Sequence, residues 1–318
     1  MSVKSTGLTE REFSLRNMQP YRSISGQLKI SVDGKPVFNQ KIHVAGGGLW
    51  KKDFSIKGRK NKVQIAKIKA EFTASDKKTP EVFETTSESL AAIRTSKTLK
   101  MDGNLSDWPE GCMVELEPRF KSFMPYLSDH KKKMELRAKY PNGIAWKGEK
   151  DLSARLYLAW DPQNLYIAFD VKDNKLETAE KLAGAWMGDS IQLYFDCWAD
   201  AKGKYTKGFD INDQVFDVWP HDGKAVLRRA YAPEQQLGFL KTGVVEKAKT
   251  AFKKTVDGYI VEMAIPAKDI FPVKLFKGSF FGFAAIINDR DVGFRHQGLV
   301  TTPDGTEPYP NPHLYPTV

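Results

Sequence analysis

Apolar and polar positions alternate with a period of two along most of this chain. That period belongs to strands with one face buried and the other presented. The clearest runs are residues 154–160, 164–172 and 189–197, and most of them close on an Asp. Trp186 stands at the mouth of the third run, between Gly184 and Gly188. Further runs fall at 214–219, 224–230, 242–256, 258–265 and 279–288. Short helices are expected at 175–182 and 266–270, and Val256-Asp-Gly-Tyr259 reads as a two-residue hairpin turn. Upstream, residues 27–33, 36–44 and 63–72 alternate in the same way, with Asp33-Gly34 as a turn signal. Residues 118–153 break the pattern, and their length suggests a functional loop or an insertion.

Strand after strand with frequent turn signals predicts an all-β protein of two β-sandwich domains. Residues 1–22 read as a leader or linker. Residues 23–97 read as an immunoglobulin-like β-sandwich, and 98–318 as a second, jelly-roll-like sandwich. The first domain has no Cys pair and a single Trp, Trp50, so it is not of antibody type.

At 318 residues, 41% hydrophobic and 28% charged, the chain has enough apolar material for a real core. It has no apolar run of about 18 residues, so no membrane span is expected. The first 22 residues lack the apolar centre of a signal peptide. The chain is therefore either cytoplasmic or a piece of a secreted protein.

A net charge of +10 invites a nucleic-acid partner, but its distribution argues against one. Residues 1–100 hold 20 Lys and Arg against 9 Asp and Glu, whereas residues 101–318 hold 29 against 30. The excess sits in the first third, where lysines on a sheet edge resist aggregation. A polyanion such as an acidic polysaccharide is the other reading of that excess.

Recognised catalytic spacings are missing: there is no G-x-S-x-G, H-E-x-x-H, G-x-x-x-x-G-K or G-x-G-x-x-G. The five histidines show no metal-type pairing. A glycosidase pair of carboxylates stays open on numbers alone, although most carboxylates fall at strand ends and turns, where Asp is a turn-former. Cys112 and Cys197 lie in strand-like surroundings that suit buried thiols; a disulfide between them stays open.

Five blocks in order carry a resemblance. They are Met101-Asp-Gly-Asn-Leu-Ser-Asp-Trp108, residues 154–173, Trp186-Met-Gly-Asp-Ser-Ile-Gln-Leu-Tyr-Phe-Asp196, Gly258-Tyr-Ile-Val-Glu-Met-Ala-Ile-Pro266 and Gly282-Phe-Ala-Ala-Ile-Ile-Asn-Asp289. From residue 99 to about 297 the chain resembles the family 9 carbohydrate-binding modules. The resemblance implies a non-catalytic β-sandwich that holds a carbohydrate ligand. It implies attachment to other domains of a multimodular polysaccharide-degrading enzyme and an extracellular or periplasmic place. It says nothing about residues 1–98.

The family's sugar slot lies between two Trp side chains. Trp186 matches the first, and no Trp stands near residues 299–301, where the second is expected. The family's Glu on the third strand corresponds to Gln192, and its Arg on the following strand to the neighbourhood of Asp217. The ligand-binding candidates are Trp186, Gln192, Asp217, Trp219, Asn288, Arg290 and His296. Aromatic faces pack on sugar C–H groups while amides and charged groups bond hydroxyls. Family members also hold structural Ca²⁺, for which Asp102, Asp107, Asp161 and Asp173 are the loop carboxylates available. Two other classes stay open. One is a structural or docking module whose sugar site has decayed. The other is a haem-binding electron-transfer sandwich using Met187 with His221 or His296.

Overall fold

The computed structural model describes the chain except residues 7, 124–128, 143, 202–207, 222, 233–239 and 303–304. The chain divides into two compact units, Met1–Leu90 and Ala91–Val318.

The first unit contains β1 (Ser2–Ser5), β2 (Glu10–Arg16), β3 (Ile24–Val32), β4 (Lys35–Val44), β5 (Leu49–Ser55), β6 (Gln64–Ala74) and β7 (Glu81–Ser89). They form a three-stranded sheet, β1-β2-β5, and a four-stranded sheet, β4-β3-β6-β7. Two of these strands lie within the expected leader. Residues 1–22 are a correction on that point: Phe13 and Leu15 of β2 pack in one core with Leu28 and Ile30 of β3 and Ala66 and Ile68 of β6. Arg11 is buried beside them, donating to the hydroxyls of Ser87 (2.6 Å) and Ser89 (3.0 Å).

The second unit contains β8 (Ile93–Arg94), β9 (Met113–Glu115), β10 (Phe120–Ser122), α1 (His130–Lys139), β11 (Leu152–Trp160), β12 (Asn164–Asp173), β13 (Ser190–Asp196), β14 (Asp213–His221), β15 (Lys224–Tyr231), β16 (Gly243–Val244), β17 (Lys249–Lys254), β18 (Gly258–Pro266), β19 (Gly282–Asp289) and β20 (Gln297–Val300). One sheet runs β17-β18-β12-β11-β8, with β9 also paired to β11. The other has seven strands, β10-β20-β19-β13-β14-β15-β16. The architecture is an all-β sandwich. Alternation fills its interior: Leu156 and Leu158 on β11, Ile167 and Phe169 on β12, Val261 and Met263 on β18, Ile191, Leu193 and Phe195 on β13 and Ala285 and Ile287 on β19 are all buried.

Several local expectations change. Residues 242–256 form two strands, β16 and β17, rather than one. Between β17 and β18 Lys254 pairs with Tyr259 and the Thr255 N–H donates to the Gly258 carbonyl (2.9 Å), so the two-residue turn falls on Val256-Asp257, one residue earlier than expected. Gly258 there passes close to β12; a Cβ would lie 2.0 Å from the Val171 carbonyl oxygen. Helices form at His130–Lys139 and as a 3₁₀ turn at Leu182–Met187, not at 175–182. Cys112 and Cys197 are both free and buried, and burial pushes the Cys112 thiol up to about 11.

The segment before β9 covers the outer face of the β11–β12–β18 sheet. Leu99, Trp108 and Cys112 pack on Ala159, Tyr166, Ala168 and Ala264. Fully buried Glu262 anchors this cover, accepting from the Asp102 N–H (3.0 Å), the Gly103 N–H and Trp108 Nε1 (2.8 Å).

Candidate functional site

The outer face of the seven-stranded sheet carries the polar groups that the alternation of β13 presents. Ser190, Gln192 and Tyr194 share that face. Across the ladders Ser190 pairs with Asn288 of β19, and Gln192 pairs with Asp217 of β14. Asp217 in turn pairs with Arg228 of β15. One hydrogen-bonded row therefore crosses four strands. Arg228 Nη1 donates to Asp217 Oδ2 (3.0 Å) and Gln192 Nε2 to Asp217 Oδ1 (3.1 Å). Asn288 Nδ2 donates to Ser190 Oγ (3.1 Å) and Gln192 Oε1 (3.5 Å). The row ends in the loop after β19, where Arg295 Nη1 donates to Asn288 Oδ1 (3.0 Å).

Beside the row lies an apolar floor of Tyr194, Val215, Ala284, Ile286, Val300 and Tyr315. At its rim the Arg295 guanidinium lies 3.5 Å from the centre of the Phe123 ring and 5.0 Å from that of Trp186, which is half-buried. Both distances fall within cation–π range. Glu307 is 3.8 Å from Arg295. Burial lowers the Arg295 pKa and raises that of Asp217, whose bonds from Gln192 and Arg228 oppose the rise.

Phe123, Arg295, Arg228 and Ser190 were not singled out by sequence. Phe123 follows β10, which pairs with β20, and its N–H donates to the His296 carbonyl (2.8 Å). Part of the irregular 118–153 segment thus joins the sheet at the site. At residues 299–301, the place of the family's second Trp, Leu299, Val300 and Thr301 are buried.

The remaining candidates lie elsewhere. Trp219 is buried, donates Nε1 to the Ala179 carbonyl (3.0 Å) and stacks on His221 with centroids 4.0 Å apart. It shores up the segment against which the Trp186 turn rests. Arg290 reaches Glu177 at 3.8 Å, and its N–H donates to Asp189 Oδ1 (2.7 Å). His296 is fully buried and faces Asp289, 3.7 Å away.

Three of the four expected calcium carboxylates are engaged locally. Asp102 caps the Asn104 N–H, Asp107 accepts from the Lys100 N–H, and Asp161 accepts from Gln163, Asn164 and the Tyr166 hydroxyl. Asp173 belongs to a different group, a buried nest with Asp151, Asp189, Asp289, Asp291 and His296. Burial and the neighbouring carboxylates push Asp289 up to about 8 and Asp173 up to about 7. Burial holds His296 down to about 4. For the haem reading, the Met187 methyl packs on Gly184, where a Cβ would lie 2.3 Å from it.

Residues 130–318 match the family described as carbohydrate family 9 binding domain-like. The chain belongs to that family. Over 159 residues it is 30% identical to endo-1,4-beta-xylanase A of Thermotoga neapolitana, covering 50% of this chain and 13% of the relative. Over 154 residues it is 29% identical to exoglucanase XynX of Acetivibrio thermocellus, covering 48% of this chain and 12% of the relative. The chain thus spans only about an eighth of the length of these curated relatives. Among solved structures it is similar to a family 9 carbohydrate-binding module from Caldicellulosiruptor kristjanssonii in complex with glucose, with TM-score 0.48 and 18% identity over 71% of this chain and 94% of that one. As a family 9 member the second unit is a carbohydrate-binding-type module. Among the described residues no helix is long and apolar enough to cross a membrane.

Proposed function

We propose that the outer face of the β13–β14–β19 sheet binds a sugar residue, with Trp186 as the aromatic platform. Gln192, Asn288 and Arg295 serve as hydroxyl partners. The observation that carries this reading is the hydrogen-bonded row from Arg228 to Arg295, which ends beside the half-buried Trp186 ring. Such a row fixes donors and acceptors in advance, and a sugar needs a few convergent polar groups beside an apolar face. Asp217 and Arg228 neutralise each other at 3.0 Å and set the orientation of Gln192.

The family assignment and the short span shared with long xylanases and an exoglucanase support a non-catalytic accessory role in a larger, secreted polysaccharide-degrading protein. The first unit, two small sheets on one core, serves there as an immunoglobulin-like spacer.

Titration calorimetry with glucose, cellobiose and xylobiose, joined to a glycan array, tests the reading. Trp186→Ala is expected to lose sugar binding while far-UV circular dichroism and the melting transition stay close to the parent. Equal affinity for Trp186→Ala removes the platform. Silence across glucans, xylans, pectins and acidic polysaccharides favours the docking-module alternative.

A further inference from the structure

As a sequence, residues 101–318 are close to neutral, with 29 Lys and Arg against 30 Asp and Glu. Folding sorts those charges unequally. Among the described residues of that stretch nine carboxylates are buried, against one cation, Arg229. The surface it presents to solvent therefore has a cationic excess, and α1 concentrates it.

α1 holds Lys131, Lys132, Lys133, Arg137 and Lys139 against one acid, Glu135. None of its residues is buried, so packing contributes nothing to it. A helix of ten residues without packing is marginal in water. Its own charges work against it as well. Lys131, Lys132 and Lys133 fall in the first turn, where the helix dipole disfavours cations, and only the capping Asp129 offsets them. Lys133 and Arg137 are like charges four residues apart. Among the described residues none of the five cations meets a carboxylate at ion-pair distance; Lys139 lies over the Tyr140 ring at 5.3 Å. Lys175 is different, because it pairs with Glu177 and donates to the Asp291 carbonyl (2.9 Å). The cations of α1 are surplus to the fold, and an anion beside them relieves their repulsion.

α1 is tied to the sugar face. Tyr140, its C-terminal cap, has its ring 6.2 Å from that of Phe294 in the hairpin joining β19 to β20. The next residue is Arg295, 5.0 Å from the Trp186 ring. A glycan seated on Trp186 that extends over this hairpin meets α1. Neutral hydroxyls make no use of surplus cations, whereas a carboxylate on a sugar ring does.

We infer that the sugar face takes a uronate-bearing glycan, with one ring on Trp186 and the carboxylate of a neighbouring or branching uronic acid against the cations of α1. This rests on the glycan reading above and adds to it the charge of the ligand.

The test is calorimetry on the full chain in about 50 mM and about 500 mM NaCl, where the screening length falls from about 14 Å to about 4 Å. The probes are a glucuronate-bearing xylotetraose and trigalacturonate, each beside its methyl ester, which keeps the ring and removes the charge. At least one acid is expected to bind about tenfold tighter than its ester at the lower salt, and the gap is expected to close at the higher. The triple variant Lys131→Gln, Lys132→Gln and Arg137→Gln, all at exposed positions, is expected to close the gap at low salt while the ester binds as before. Lys57→Gln, Lys60→Gln and Lys62→Gln together, in the basic run of the first unit, are expected to leave it open. Equal binding of acid and ester overturns the charge inference and leaves the sugar face standing. A gap that survives in the α1 variant overturns the role of α1, and its loss in the first-unit variant instead moves the charge site there. Duplex DNA bound through α1 as tightly as the acids overturns the uronate class. If neither acid, neither ester nor cellobiose binds, the glycan reading fails and this inference fails with it.

Discussion

The guanidinium of Arg295 lies 5.0 Å from the centre of the Trp186 ring, so the half-buried indole faces a cation. The same group lies 3.5 Å from the Phe123 ring centre and bonds Asn288 at 3.0 Å. Arg295 thereby ties the aromatic rim to the polar row. Arg295→Met keeps an apolar stem against Phe123 but removes the donors. Sugar affinity is expected to drop at least tenfold in calorimetry, with a stability loss of about 1–2 kcal/mol in urea unfolding. Unchanged affinity would assign Arg295 to packing only.

Glu262 holds the cover on the opposite sheet. Its buried carboxylate accepts from two backbone N–H groups and the Trp108 indole. Glu262→Ala strands three donors at once, and a loss of about 3 kcal/mol or more is expected. Glu262→Gln keeps an acceptor and is expected to lose less. Urea unfolding of both variants measures the difference, and equal losses would show that packing rather than acceptance matters. Sugar binding, on the other sheet, is expected to survive Glu262→Gln.

Much of this was readable from alternation. Period two put Ser190, Gln192 and Tyr194 on one face before any pairing was known, and antiparallel register then brought Asp217 and Asn288 beside them. Phe123 and Arg295 were not readable, because their meeting depends on β10 pairing with β20 across the sequence. Asp102, Asp107 and Asp161 carry the turn-forming signature and spend their oxygens on nearby N–H groups, while the unpaired atoms of Asp289 and His296 are hidden by tertiary burial. Helix α1 lacks an apolar stripe and buries none of its residues, so no periodicity announced it. In β2, by contrast, the alternation of Arg11, Phe13 and Leu15 was present but short.

The Trp186 turn is held from behind at Gly188. A methyl group there would come within 2.3 Å of the Ala179 nitrogen, while Trp219 fixes the Ala179 carbonyl at 3.0 Å. Gly188→Ala must push these segments apart, and a several-fold loss of sugar affinity is expected without any change to a contact residue. Trp219→Phe keeps an aromatic six-membered ring but loses the bond and part of the buried indole volume, costing about 1–3 kcal/mol of stability. Calorimetry on both variants separates them; Gly188→Ala binding as tightly as the parent would mean that the turn's position does not matter.

Asp213, at the start of β14, gives the fold a dependence on pH. Burial pushes its carboxyl up to about 8, and the charges of Asp196, Asp210 and Asp200 add to the rise against a hydrogen bond from the Asp210 N–H. Its Oδ1 is buried without a partner. An unfolded Asp titrates near 4, so between about pH 4 and pH 8 the folded chain holds a proton that the unfolded chain has released. Stability from this group is therefore full below pH 4 and falls as pH rises toward 8, by at most about 1.4 kcal/mol per unit. Asp213→Asn keeps an acceptor for the Asp210 N–H and carries no charge. Other buried carboxylates add to the slope of the parent, so the difference between parent and variant isolates this one. Urea unfolding at pH 5.5 and 8.5 is expected to show the parent losing more stability than Asp213→Asn, by on the order of 1–2 kcal/mol. Parallel losses in the two proteins would place the titration elsewhere.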